Sequence, residues 1–137
     1  MILFFDASAL IYLIEGQEPF ASKVRSELAN AAQQHASLSA SVSRLTWLEC
    51  RVGPMKAGDT INLNAFDAFF ARPDLRWIEL TREVVELAAD IRVRHGLKTP
   101  DSLQAASCLQ LGDDHLFLTG DASFNRVYGL KVKVLTA

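Results

Sequence analysis

The sequence predicts an α/β fold, one domain with a mainly parallel five-stranded sheet flanked by helices, and three observations carry that prediction. Ile2-Leu3-Phe4-Phe5 is a short, unbroken apolar run, the pattern of a strand covered on both faces. Strand-like and helix-like segments then alternate along the chain, the order that the βα units of a parallel sheet produce. The length, 137 residues of which 50% are hydrophobic and 22% charged, suits one folding unit with its own core.

The first strand stops at Asp6, and residues 7–14 read as a helix. A longer helix over residues 20–34 precedes a weaker strand at 37–42. Residues 43–56 form the next helix, with Leu45, Leu48 and Val52 on one stripe, and 59–71 another. Arg72-Pro73-Asp74 signals a turn that opens a third strand at 75–80. From Thr81 onward Val84, Leu87, Ala88 and Ile91 recur at helical spacing, and Arg92, Arg94 and His95 before Gly96 suit a helix C-terminus. Thr99-Pro100 reads as the cap and first-turn proline of a further helix, with Asp101 at its second position and its end near Leu111. Strands at 115–118 and 132–135 complete the sheet.

Charge and composition exclude several classes. Lys and Arg number 14 against 16 Asp and Glu, a net charge of −2, which excludes a strongly basic nucleic-acid-coating protein but not an enzyme with an acidic metal site. Cys50 and Cys108 stand far apart and match neither a disulfide framework nor a metal-ligand spacing; they read as reduced, buried thiols of a cytoplasmic protein. The apolar N-terminus lacks a basic leader region, is interrupted by Asp6 and has no small-residue cleavage site. No apolar run approaches the roughly 20 residues of a membrane span.

The carboxylates fall in telling places. In open α/β sheets ligands bind at the carboxyl ends of strands. Asp6 follows the first strand, and Asp121 follows the fourth through Thr119-Gly120, so both share one sheet edge if those strands are parallel neighbours. Taken singly, each is more readily read as the cap of the helix that follows; two such residues after two strands shift the balance toward a shared site. Glu49 lies on the apolar stripe of its helix, where a carboxylate must be paired, hydrogen-bonded or bound to metal, unless it sits at the stripe's edge and reaches solvent or a nearby Arg. Asp101 suits the helix macrodipole, while Ala105 and Ala106 let that helix pack close to the sheet and bring Asp101 toward the strand ends.

Four segments together resemble the PIN-domain ribonucleases, and more narrowly the toxins of VapBC-type toxin–antitoxin pairs. They are DASALIYLIEG with Asp6, SRLTWLECRVG with Glu49, TPDSLQAAS with Asp101 and LFLTGDASFNRV with Asp121, in the family's order and across nearly the whole chain. The resemblance implies a single PIN-like domain over residues 1–137, acting as a metal-dependent endoribonuclease. It implies Asp6, Glu49, Asp101 and Asp121 as the catalytic acids, with Asp6, Asp101 and Asp121 on the metal and Glu49 orienting or deprotonating water. Ser8, Thr119 and Asn125 match accessory polar positions. Ser102, where many relatives are apolar, and Asn125, where some carry an acid, are departures.

Oxygen ligands of this kind select Mg²⁺ or Mn²⁺. Among the cations near these segments, Arg44, Arg51, Arg92, Arg94, Lys98 and Arg126, Arg51 and Arg126 are the candidates for a substrate-binding or an acid-pairing role, whereas Arg92 and Arg94 compensate a helix dipole. Phe124 reads as core, and His35, His95 and His115 carry no motif. The resemblance also implies a cognate antitoxin whose tail folds on binding, with residues 10–14 and 61–70 as candidate groove segments, and a homodimer or toxin–antitoxin hetero-oligomer. Three other readings compete. A haloacid-dehalogenase-type phosphatase needs a second Asp two residues after the first, where Ser8 stands, and a response-regulator receiver needs an acidic pair at the first strand and a late Lys. The third is a non-catalytic PIN-like RNA- or protein-binding module, which is expected to have lost one of the four acids; here all four positions are filled.

Overall fold

A computed structural model describes residues 1–136. The chain runs β1 (Ile2–Phe5), α1 (Ala7–Glu15), α2 (Phe20–Gln34), β2 (Ser39–Ser43), α3 (Arg44–Ala57), α4 (Thr60–Phe70), β3 (Arg76–Ile78), α5 (Arg82–His95), α6 (Thr99–Leu109), β4 (His115–Thr119), a 3-10 turn (Ala122–Arg126) and β5 (Val132–Val134). The five strands form one sheet in the order β3-β2-β1-β4-β5, and every neighbouring pair is parallel. After β1 the chain builds outward through β2 and β3, then returns to place β4 on the other side of β1. The β1–β4 junction is therefore the topological switch point, where the carboxyl ends of an open α/β sheet diverge and leave a crevice.

The unbroken apolar run of β1 is explained by its central place. Leu3 and Phe5 turn to one face, against Leu10, Val24, Phe69 and Phe70 of α1, α2 and α4. Phe4 turns to the other, against α5 and α6, and stacks on Phe117 of β4 with centroids 5.3 Å apart. Phe4 is fully buried, as are Phe117 and Leu118. Both cysteines are free and buried inside these two cores, and burial pushes both thiols above their usual range. Among the described residues no helix is long and apolar enough to cross a membrane.

Helix ends follow local chemistry. Asp6 caps α1, Ser43 caps α3, Asp59 caps α4 and Thr81 caps α5, each side chain accepting from a first-turn N–H. Gly96 ends α5 with φ +70°, the left-handed conformation that glycine adopts without strain. Three sequence expectations need correction. Lys98, not Thr99, is the cap of α6 and gives no side-chain capping bond, so Asp101 is the third helical residue. The third strand is confined to Arg76–Ile78 because only Ser41 to Ser43 pair with it, and Glu79 turns aside to a bidentate pair with Arg44.

The third correction concerns α3. Its buried face is Thr46, Cys50 and Pro54, whereas Leu48 and Val52, expected inside, are 51% and 39% exposed. The inward residues are small because α3 packs against α1, α4 and α6 at once. Substitution separates the two readings of these positions. Phe4→Ala removes a fully buried ring and is expected to cost about 3–5 kcal/mol in urea unfolding, while Leu48→Ser is expected to change stability by less than about 0.5 kcal/mol.

Candidate active site

Asp6 is the innermost acid. It ends β1, caps α1, and is 6% exposed. Three donors hold its carboxylate: the Ser8 hydroxyl (2.7 Å) and the Ala9 backbone N–H (2.9 Å) on Oδ1, and the Thr119 hydroxyl (2.5 Å) on Oδ2. Ser8 Oγ in turn accepts the Gly120 N–H at 2.9 Å, and Thr119 Oγ1 accepts the Asp121 N–H at 3.0 Å. One carboxylate thus fixes the loop after β4 against the end of β1. Residue 120 is glycine for a steric reason: a Cβ there would lie 2.5 Å from the Tyr12 hydroxyl, whose ring is stacked on Phe20.

Around Asp6 the fold gathers the other three acids. Glu49 from α3, Asp101 from the first turn of α6 and Asp121 after β4 line one cavity with Asp6, Ser8, Gln104 and Phe124, of about 170 Å³. Each of the four comes from a different element, and all lie at the switch point. Burial pushes the Asp6 carboxyl up to about 6, against the pull of its three donors, and Glu49 adds repulsion. Burial also raises Glu49, which is opposed by a hydrogen bond from Gln104 and reinforced by Asp101. Asp101 is raised by burial and then by Asp121, with Lys98 opposing. Repulsion therefore runs from Asp6 to Glu49 to Asp101 to Asp121.

Not every candidate residue converges there. Asn125 is exposed on the 3-10 turn and lines neither this cavity nor its neighbour, where Ser123 of the same turn does. Arg51 points away: it is ion-paired with Asp67 of α4 and lies over the Trp47 ring at 5.0 Å. Arg44 is paired with Glu79, Arg94 with Asp90, and Arg92 donates to the Leu97 carbonyl at 2.9 Å. Lys98 and Arg126 form no ion pair among the described residues, and both line a second cavity of about 240 Å³ that shares Asp101 and Asp121 with the first. A larger cavity of about 320 Å³ along α5 and α6 is apolar and holds none of the four acids. Phe124 is core, as expected, and also floors the acid cavity.

Sequence reasoning missed Gln104 and Thr46. Gln104 Nε2 donates to Glu49 Oε1 and to Thr46 Oγ1, both at 2.9 Å, and both residues are buried. The one available signal was a lone amide in the otherwise small and apolar run LQAAS.

The donor set is carboxylate and hydroxyl oxygen, the chemistry of a hard divalent cation such as Mg²⁺ or Mn²⁺. Among the described residues no three ligating side chains stand close enough to grip a metal ion directly. Magnesium retains several waters and takes only one or two direct carboxylates, so a water-bridged cation suits this spacing.

Comparison with known proteins agrees with the fold. The PIN-domain family model matches residues 3–130. VapBC2 from Rickettsia felis, solved with a DNA fragment from its promoter, shares the fold with a TM-score of 0.76 at 16% identity, covering 98% of each chain. DNA-bound VapBC from Salmonella typhimurium gives 0.75 at 15% identity over 99% of each chain. VapC20 of Mycobacterium tuberculosis, a toxin that cleaves the sarcin–ricin loop, gives 0.68 at 16% identity, covering 90% of this chain and 92% of its own. At these identities what is shared is the fold. No curated protein matches at a significant level.

The buried acid makes a signed prediction for the metal-free protein. Burial holds the folded Asp6 carboxyl at about 6, above its ordinary value of 3.8, so its contribution to stability is full below about pH 3.8 and is lost as pH rises through 6. Asp6→Asn is expected to gain on the wild type by about 2 kcal/mol between pH 4.5 and 7.5 in EDTA. Added Mn²⁺ at pH 7.5 is expected to narrow that gap, raising the wild-type melting temperature and leaving the variant unmoved.

Proposed function

The chain belongs to the PIN-domain family, and on that premise we propose that it is a divalent-metal-dependent endoribonuclease, the toxin of a toxin–antitoxin pair. One observation carries the reading: four carboxylates from four separate elements line a single cavity at the switch point of the sheet. Family membership supports nuclease chemistry. The convergence of acids supports Asp6, Asp101 and Asp121 as the residues that hold Mg²⁺ or Mn²⁺.

The chain's own groups have distinct tasks in this reading. Ser8 and Thr119 keep Asp6 oriented and satisfied inside the core. A bound cation supplies a water of lowered pKa and neutralises charge on the phosphodiester. Glu49, whose carboxyl lies above its usual range, would accept a proton from the attacking water as the new bond to phosphorus forms, and the bond to the sugar oxygen breaks as that oxygen takes a proton from solvent.

The RNA backbone beyond the cleft needs positive charge. Arg51 is engaged by Asp67, which leaves Arg126, joined by Lys98, as the cations beside the acids. Their shared cavity opens from the cleft at Asp101 and Asp121, and we assign it to a phosphate flanking the scissile one. For the antitoxin, the structural neighbours that are toxin–antitoxin complexes support a small protein partner. Leu13 and Phe69, one from each candidate groove segment, do line a cavity of about 190 Å³ with Leu28 and Leu38, rimmed by Arg72 and Asp74. Leu10 and Phe66 of those segments are core instead. A toxin read this way acts in the cytoplasm.

End-labelled cellular RNA is expected to be cleaved in Mg²⁺ or Mn²⁺ and not in EDTA, with Asp6→Asn, Asp101→Asn and Asp121→Asn each slower by roughly a hundredfold or more. Metal-dependent cleavage that survives Asp6→Asn in a clean preparation would overturn the assignment, and absence of cleavage by a metal-loaded wild type would favour a binding module. In filter binding with the Asp6→Asn protein, Lys98→Ala and Arg126→Ala are each expected to flatten the slope of log affinity against log salt by about 0.7 for single-stranded RNA.

A further inference from the structure

Glu49 is the one acid of the cleft whose carboxylate is held by a side chain from another helix. Gln104 of α6 is 2% exposed, and Thr46, one turn before Glu49 on α3, is fully buried. A carboxylate only accepts hydrogen bonds, so the Gln104 atom facing Glu49 Oε1 is the amide nitrogen. Its second N–H goes to Thr46 Oγ1 at 2.9 Å. The Thr46 proton then has the Gln104 Oε1 (3.3 Å) and the Phe5 carbonyl (3.4 Å) in reach. Phe5 is the last residue of β1, immediately before Asp6. The relay therefore connects the strand end that carries Asp6, through α3 and α6, to the carboxylate of Glu49.

A glutamine on the packing face of a helix is costly to bury unless its amide is fully used. Here both amide protons are used, one of them on Glu49, and the side chain lines the acid cavity itself. Core packing alone would be served by an apolar residue of the same size, and the amide adds only a defined direction at Glu49.

We infer that Gln104 is a positioning residue, which locks one oxygen of Glu49 through its amide and Thr46 so that the other oxygen is presented to the cation and its water. The inference rests on the proposed function of the cleft and deepens it. It predicts that Gln104 acts on metal binding only through Glu49.

The test is a double-mutant cycle read by Mn²⁺-dependent thermal unfolding of the whole chain, so that it does not depend on RNA cleavage. Gln104→Met keeps the size and removes both amide protons. It is expected to raise the Mn²⁺ concentration at half-maximal stabilisation by about 10-fold or more, the usual effect of losing an outer-shell partner. In the Glu49→Gln background the same change is expected to add no further shift. Thr46→Val, which removes the anchor of the amide, is expected to act in the same direction, more weakly, and also only when Glu49 is present; it serves in place of Gln104→Met should that variant not fold. An unchanged midpoint in Gln104→Met, or an equal shift with and without Glu49, would overturn the inference while leaving the cleft reading intact. A wild type that Mn²⁺ does not stabilise at all would overturn both.

Discussion

The structure turns on one buried carboxylate. Asp6 follows the central strand at the point where the strand order switches to the other side of β1, and its charge sits where solvent is nearly absent. A buried carboxylate is tolerable only when hydrogen-bonded. Its three donors are supplied by Ser8 and Ala9 on α1 and Thr119 on β4. Because Ser8 and Thr119 also accept from Gly120 and Asp121, satisfying Asp6 fixes the loop that carries the fourth acid. The same interaction that makes the burial tolerable therefore assembles half of the site.

The other half is assembled against its own repulsion. Asp6, Glu49 and Asp101 all lie above their ordinary carboxylate range, with burial the first cause in each case. Hydrophobic packing of α3 and α6 onto the sheet must outweigh that cost, and the two layers of aromatic core around Phe4 and Phe5 provide it. A fold arranged for stability alone would place apolar side chains at these positions. Keeping four acids at one crevice is the kind of local conflict that marks a functional site.

Much of this was legible in the sequence. The continuous apolar run of β1 and the span of α2 follow from pattern, because both are long or uniform enough to leave one reading. The shared edge of Asp6 and Asp121 was conditional on the first and fourth strands being parallel neighbours, which the structure supplies. Helix α3 was read inside out. Its leucines and valine look like a core stripe, but three helices crowd its other side, where only Thr46, Cys50 and Pro54 fit. Glu49 reached the cavity from the margin of that small-residue face, by tertiary crowding that hydrophobic periodicity does not encode. Gln104 was invisible for the complementary reason: its partners lie 55 and 58 positions away, so nothing local marks it. Arg51 was open to either a substrate or an acid-pairing role; standing two residues past Glu49 it lies on a different face of α3, and the acid it pairs with is Asp67 on α4.

Electrostatics also gives the cleft a direction. An acidic crevice repels a polyanion, and a bound divalent cation offsets that only at the reacting phosphate. On the proposed reading, the rest of an RNA strand would follow positive charge that is not already neutralised. Most cations flanking the four segments are neutralised: Arg44 by Glu79, Arg51 by Asp67 and Arg94 by Asp90, while Arg92 is tied to a carbonyl that closes the α5–α6 turn. Lys98 and Arg126 remain, and both stand on the same side of the cleft, across the cavity that Asp101 and Asp121 share with it. The opposite side is walled by α1 and α3, where Ala7, Ser8 and Glu49 supply no cation to the cavity. On the proposed nuclease reading, a net charge of −2 is no obstacle to RNA because the relevant quantity is local: Lys98 and Arg126, without an ion pair among the described residues, stand on one side of the acid cleft and would orient the strand there.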